Sequence, residues 1–191
     1  MMRTKFVGLA VVAACVIGSI VTADASAHEF LATTTGKTTA KIMTNQFVVA
    51  GPGGVECHGL HVVEGTVTTT KAQSVEVTIQ NTNCTGFGFE AFVSPAHLRF
   101  NANDGLVTLL SNVTVSVKIA PCTVTFPSSK NKSLAANLYF NVGKSVELVA
   151  TVKGITSFGV GAACEYAEES KGFYSGKSLI ALENGGTLKW D

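Results

Sequence analysis

The sequence predicts an all-β fold, an antiparallel β-sandwich or the barrel-like closure of one, on three observations. Apolar and polar residues alternate along several separate runs, the signature of strands with one face buried. Turn-forming clusters divide those runs at intervals of roughly ten to twenty residues. No stretch of comparable length carries the apolar stripe of a helix.

Taken in chain order, the first segment is a leader rather than part of the fold. Arg3 and Lys5 precede an almost wholly apolar run over residues 6–21, and Ala25-Ser26-Ala27 supplies a small-x-small cleavage site. That is the layout of a secretory signal peptide over residues 1–27. A membrane span is the rival for the run, but the small-residue site and Asp24 immediately after it favour removal. Residues 12–15 loosely match a lipid-attachment pattern ending at Cys15; apolar sequence continues past Cys15, which places it inside the leader. Residues 28–191 then form a single domain, exported and with no stable membrane anchor after cleavage.

Within that domain "SVEVTIQ" sets Val75, Val77 and Ile79 on one face, and "NVTVSVKI" repeats the pattern with Val113, Val115, Val117 and Ile119. "CTVTF", "NLYFNV" and "KSVELVATV" continue it with β-branched and aromatic residues. Asp104-Gly105 stands between apolar runs as a hairpin signal, because such turns need positive φ. "AGPGGVEC", "SSKNKS", "NVGKS" and "ENGGT" mark further turns. The one segment readable as a helical turn or two is "GAACEYAEESKG", ended by Gly172.

Cleavage leaves Cys57, Cys84, Cys122 and Cys164, an even number in an exported chain, which reads as a disulfide framework. Of the three pairings that four cysteines permit, Cys57 with Cys84 and Cys122 with Cys164 is favoured because sequential bridges staple each half locally. A zinc site is the rival, but zinc modules bring ligands in close pairs, and these spacings do not.

Charge narrows the partners. The whole chain carries 14 basic and 13 acidic residues, and loss of Arg3, Lys5 and Asp24 leaves the mature chain formally neutral. A neutral domain whose only arginine is Arg99 lacks the basic face of a nucleic-acid binder. No nucleophile elbow, phosphate-cradling loop or spaced catalytic triad is present, so no catalytic residue is assigned and no cofactor is implied.

Three features could carry chemistry. His28 would begin the mature chain, where its α-amine and imidazole could chelate copper with His61 or His97, as in secreted copper oxygenases that start on histidine; a solvated first residue is the plain alternative. His58 and His61 are three apart, a spacing that on a regular strand sends them to opposite faces and prevents a shared metal. Phe87, Phe89 and Phe92 in "GFGFEAF" could form an aromatic platform for sugar or peptide, against the plainer reading of core packing. The triplets at Asn83, Asn112 and Asn131 match N-glycosylation acceptors but are assigned no role.

"HEF" at the mature start, "GVEC", the "FN…G.V" hairpin, "CTVTF", "VKGI" and "GFYSG" together resemble a group of small, uncharacterised secreted proteins of actinobacteria. The resemblance implies a bacterial, disulfide-stapled β protein and brings no catalytic residues. The reading is thus a secreted non-enzymatic protein that binds, or is built into, something extracellular or in the cell envelope. A copper-dependent enzyme using His28 and a carbohydrate-binding module are the alternatives.

Overall fold

The computed structural model describes residues 28–51, 53–86, 88–117, 121–131 and 137–191. The predicted signal peptide, with Cys15, lies outside them, as does Phe87. Fourteen strands and no helix occupy the described residues: β1 (Phe30–Ala32), β2 (Gly36–Ala50), β3 (Gly53–Val67), β4 (Lys71–Ala72), β5 (Ser74–Gly86), β6 (Phe89–Val93), β7 (Ala96–Asn101), β8 (Val107–Leu109), β9 (Val113–Val117), β10 (Cys122–Phe126), β11 (Asn137–Val142), β12 (Ser145–Val160), β13 (Tyr166–Leu182) and β14 (Leu188–Trp190). The fold is all-β and antiparallel throughout.

Its layers are the walls of one closed sheet. Eight strands pair in the ring β3-β2-β13-β12-β10-β9-β6-β5, and β5 pairs back onto β3. Closure gives each of these eight strands a neighbour on both sides and leaves one inner face for the apolar rows, while β8 and β11 each pair with a single strand. On β12 that row is Val146, Leu148, Ala150 and Val152, all buried, while Thr151 and Lys153 face out. The long strands β5 and β12 change partner along their length. β5 pairs β7 over Ser74–Ile79 and β6 over Cys84–Gly86, and β12 likewise pairs β11 first and β10 later.

The two ends of the barrel are closed differently. Cys57–Cys84 links facing residues of β3 and β5, with Cα atoms 4.0 Å apart, and Cys122–Cys164 ties the start of β10 to the turn before β13. All four cysteines lie in the same buried cluster, with Val55, Val117 and Val124. The opposite end is covered by a small sheet ordered β14-β1-β4, whose Phe30 and Leu188 join Val75, Phe100 and Val146 in a second cluster. Tyr139 meets Phe30 edge to face at 5.2 Å. The Asn141 carboxamide clamps Trp190 by accepting from its N–H at 2.8 Å and donating to its carbonyl at 2.7 Å.

The in–out alternation slips on two facing strands, once on β5 and twice on β3, where the second slip falls at the bulge between Val62 and Glu64. Val55 and Cys57 face inward on β3, and then Leu60 takes the inner position; on β5 the inner residues run Val77, Ile79, Asn81 and then Cys84. The slip on β5 coincides with Asn83, the one non-glycine residue with positive φ among those described, at 53°. Asn tolerates that left-handed conformation better than most side chains. Because both strands slip together, their pairing from Cys57–Cys84 to Leu60–Asn81 keeps register.

Two sequence expectations meet the structure here with different outcomes. The Asp104-Gly105 turn joins β7 to β8 with Gly105 at φ 64°, and Asp104 Oδ1 accepts from the Leu106 N–H at 2.9 Å. The helical turn in residues 161–172 is overturned: only a tight turn precedes Cys164, and Tyr166 onward is strand β13. Gly172 sits inside that strand opposite Ile155. Irregular pairing between Lys153 and Gly159 of β12 blurs the period of two there, which is why the segment does not read as a strand.

The disulfides close chain segments separated by 27 and 42 residues. Replacing Cys57 and Cys84 together by Ser is expected to lower unfolding free energy by about 3 kcal/mol in the chain-entropy account. Urea titration of both chains measures it; a difference below about 1 kcal/mol would show that the ring holds without its staple.

Candidate binding cavity inside the barrel

Between the two buried clusters lies an apolar cavity of about 150 Å³, lined by the inner side chains of the barrel. An eight-stranded barrel is just wide enough to be filled by its own side chains or to hold one small ligand. Here small inward residues leave the filling incomplete: Ala96, Val115, Ala150 and Val152 do not reach across. Leaving such a void empty costs about 4 kcal/mol at the usual penalty per unit volume, a large share of a domain's net stability.

Five polar side chains interrupt this wall: Gln46, Asn81, Asn131, Tyr174 and Ser178. Four of them are satisfied within the protein. The Tyr174 hydroxyl donates to Gln46 Oε1, and Gln46 Nε2 donates to the Lys177 carbonyl at 3.2 Å and Ser178 Oγ at 3.3 Å. Gln46 reaches across β13 because Gly176 has no side chain: a Cβ there would stand 2.3 Å from Gln46 Oε1. The ring of Tyr174 keeps some solvent exposure, but its hydroxyl is enclosed, and that burial pushes its pKa well above the ordinary phenol range. It is therefore a permanent donor to Gln46. Asn131 holds β12 where its pairing is irregular, accepting from the Thr156 N–H at 2.9 Å and donating to the Thr156 carbonyl at 2.8 Å. Asn131 is 3% exposed, so the folded chain withholds it from glycosylation. Asn81 is the exception, since its Oδ1 is buried without a hydrogen-bond partner.

A second, open space lies outside the barrel where β5 has left β7 and not yet met β6. This cleft, of about 450 Å³, runs along Gln80–Cys84 and is flanked by Glu90, Phe92, Val93 and Ser116. Gln80 spans it, donating from Nε2 to the Val93 carbonyl and, at 2.9 Å, to that of Asn81. Asn81 and Val93 line both the outer cleft and the inner cavity.

The sequence-singled residues are distributed as follows. Phe89 and Phe92 are 40% and 62% exposed, so core packing does not describe them; Phe92 stands at the cleft. His28 is not a loose first residue: its ring stacks on Trp190 at 4.7 Å, and Nδ1 is 2.6 Å from the Asp191 carbonyl oxygen. His61 pairs with Gln80 across β3 and β5, and His97 with Thr78 across β5 and β7. His97 Nε2 lies 3.4 Å from Glu76, whose carboxylate also takes Arg99 at 2.6 Å. The Arg99 hydrogen bond is the largest cause holding the Glu76 carboxyl below its usual pKa, but a pair this exposed stabilises little. The opposite-face argument for His58 and His61 fails: both are exposed, because the strand slips phase between them. No group of three or more His, Cys, Asp or Glu among the described residues is placed to hold a metal ion.

Sequence reasoning missed Gln46, Asn81 and Tyr174. Gln46 follows Thr44 and Asn45 in "IMTNQFVVA", so nothing local marks it as the polar residue that closure turns inward.

Replacing Tyr174 by Phe removes the donor to Gln46 Oε1 inside the barrel, and we expect a loss of about 1–3 kcal/mol in chemical denaturation; a neutral substitution would show the bond to be dispensable. Comparison with protein-family models, with curated proteins and with solved structures gives no match.

Proposed function

We propose that the protein is an exported, non-enzymatic binder of a small, largely apolar molecule held inside the barrel. The observation that carries this is the cavity: about 150 Å³, lined by apolar side chains from ten strands and kept open by alanine and valine. Dry apolar cavities near this volume accept molecules of benzene size. Export is supported by the leader, by two disulfides, which persist in oxidising compartments, and by the resemblance to secreted actinobacterial proteins. The outer wall favours an aqueous setting, since Lys41, Glu76, Arg99, Lys153 and Lys177 are exposed along it and would break the apolar band of a membrane barrel.

Benzene is the direct probe. A ligand that binds only the folded state raises stability by mass action, so saturating benzene is expected to raise the unfolding temperature by several degrees. Ala150→Leu, which fills the cavity from β12, is expected to fold and to lose that response. An unchanged unfolding temperature in the native chain would sink the reading.

A second reading is supported by the outer cleft. Carboxamides and hydroxyls from Gln80, Thr82, Asn83 and Ser116 stand near an exposed phenylalanine, Phe92. Amide groups can hydrogen-bond sugar hydroxyls, and an aromatic ring can cover the apolar face of the sugar. If the chain is instead a carbohydrate-binding module, calorimetry against cello-, malto-, xylo- and chito-oligosaccharides will find one that binds, weakened about tenfold or more by Phe92→Ala and unaffected by Phe140→Ala on β11. Absence of heat with all four, or indifference to Phe92→Ala, removes this reading.

A further inference from the structure

The outer wall that starts at Phe92 differs from its surroundings in charge. Residues directly opposite on paired strands share a face of the sheet, so the registers define its rows. Phe92 lies opposite Ser116, Ser116 opposite Thr123 and Thr123 opposite Val160, which makes one row across β6, β9, β10 and β12. Two residues further along the strands, Thr114, Thr125 and Phe158 make a second row. The intervening Val93, Val115, Val117 and Val124 are buried in the core, which turns both rows outward. Phe92 and Val160, at the two ends of the first row, are 62% and 60% exposed.

None of the side chains in these rows ionises. On the neighbouring walls exposed charges are interspersed: Glu76 and Arg99 on β5 and β7, Lys153 and Lys177 on β12 and β13. A ligand that covers the rows therefore strips water from no ion, and the large cost of burying a charge does not arise. The hydroxyls of Thr114, Ser116, Thr123 and Thr125 can each donate and accept, and they stand between Phe92 at one corner and Phe158 at the opposite one. Alternating hydroxyls and apolar patches match the surface of a neutral sugar chain, whereas an acidic polymer would find no cation there. Four strands span about 14 Å, and the rows lie about 7 Å apart, an area that successive rings of one chain can cover and a single ring cannot. The first row also leads straight out of the outer cleft, because Phe92 and Ser116 line that cleft. Glu90 flanks the cleft but pairs with Thr85, outside both rows.

We propose that the outer face of β6, β9, β10 and β12 prolongs the cleft into a track for a neutral polysaccharide, held along its chain and across the strands rather than by its end, a proposal that rests on the cleft at Phe92 being a sugar site. Calorimetry of the oxidised mature chain against the disaccharide and the hexasaccharide of the cello-, malto-, xylo- and chito- series tests it. In the series that binds, the hexasaccharide is expected to bind about tenfold or more tighter than the disaccharide. Thr123→Lys, which sets a cation in the middle of the first row, removes that gain; Thr151→Lys, on the outward face of β12 beyond the rows, keeps it. Should Thr123→Lys not fold, the methyl resonances of Thr123 and Val160 in the native chain serve instead: they shift with the hexasaccharide and not with the disaccharide. Hexagalacturonate, which is acidic, is expected not to bind.

Equal affinity for the two lengths, or indifference of the hexasaccharide to Thr123→Lys, would overturn the track while leaving a sugar site at Phe92. Hexagalacturonate binding as tightly as the neutral hexasaccharide would overturn the preference for an uncharged chain. Failure of every sugar to bind would overturn the cleft reading and the track together.

Discussion

Everything in this molecule depends on the return of β5 onto β3, which turns a run of antiparallel strands into a ring. An open sheet of this composition would need a second layer to cover its valine rows. A closed one covers them with itself, and the alternating side chains then divide into a single inner face and a wetted outer one. The Cys57–Cys84 bridge crosses this pairing, and the second bridge ties the same end of the barrel, so oxidation and closure reinforce one another. At the far end the first and last described strands, β1 and β14, pair into a small cover that no nearest-neighbour hairpin could supply.

Fixing the ends leaves the middle as the only place where packing can be incomplete. The inner residues there are short, and two clusters form above and below a space that neither fills. Gln46, Tyr174, Ser178 and Asn131 give the space a polar framework, yet they spend their hydrogen-bonding capacity on one another and on the backbone. Rigid internal bonding of this kind holds a cavity open, because collapse would break several buried hydrogen bonds at once. Asn81 differs because it sits where both β3 and β5 slip phase and where β5 has no partner on its outer side between β7 and β6.

Much of the fold was legible in local pattern. Val75, Val77 and Ile79, or Val146, Leu148 and Ala150, carry their inward face in plain alternation, and Asp104-Gly105 names its own turn. Cysteine spacing pointed to the pairing that the structure holds. Closure was not legible, since it depends on Gly86 meeting Val55 and Val77 meeting Gly65, contacts between segments that no short window joins. Nor was β13, whose partner strand is irregular, or the outward turn of both His58 and His61, which follows from a phase slip centred on residues that look ordinary. The stacking of His28 on Trp190 joins the two ends of the described chain and leaves no trace in either end alone. The candidate site was the least legible part, because a cavity is defined by what side chains from many strands fail to fill.

The central claim is that a closed barrel surrounds an apolar space at its middle. Diffraction from crystals of the native protein under xenon pressure tests it most directly, since xenon settles in dry apolar cavities of this size and scatters strongly. The account predicts xenon density within the ring, bordered by Leu148, Ala150 and Ile79. Density confined to the outer surface, around a barrel whose centre is filled by its own side chains, would contradict it.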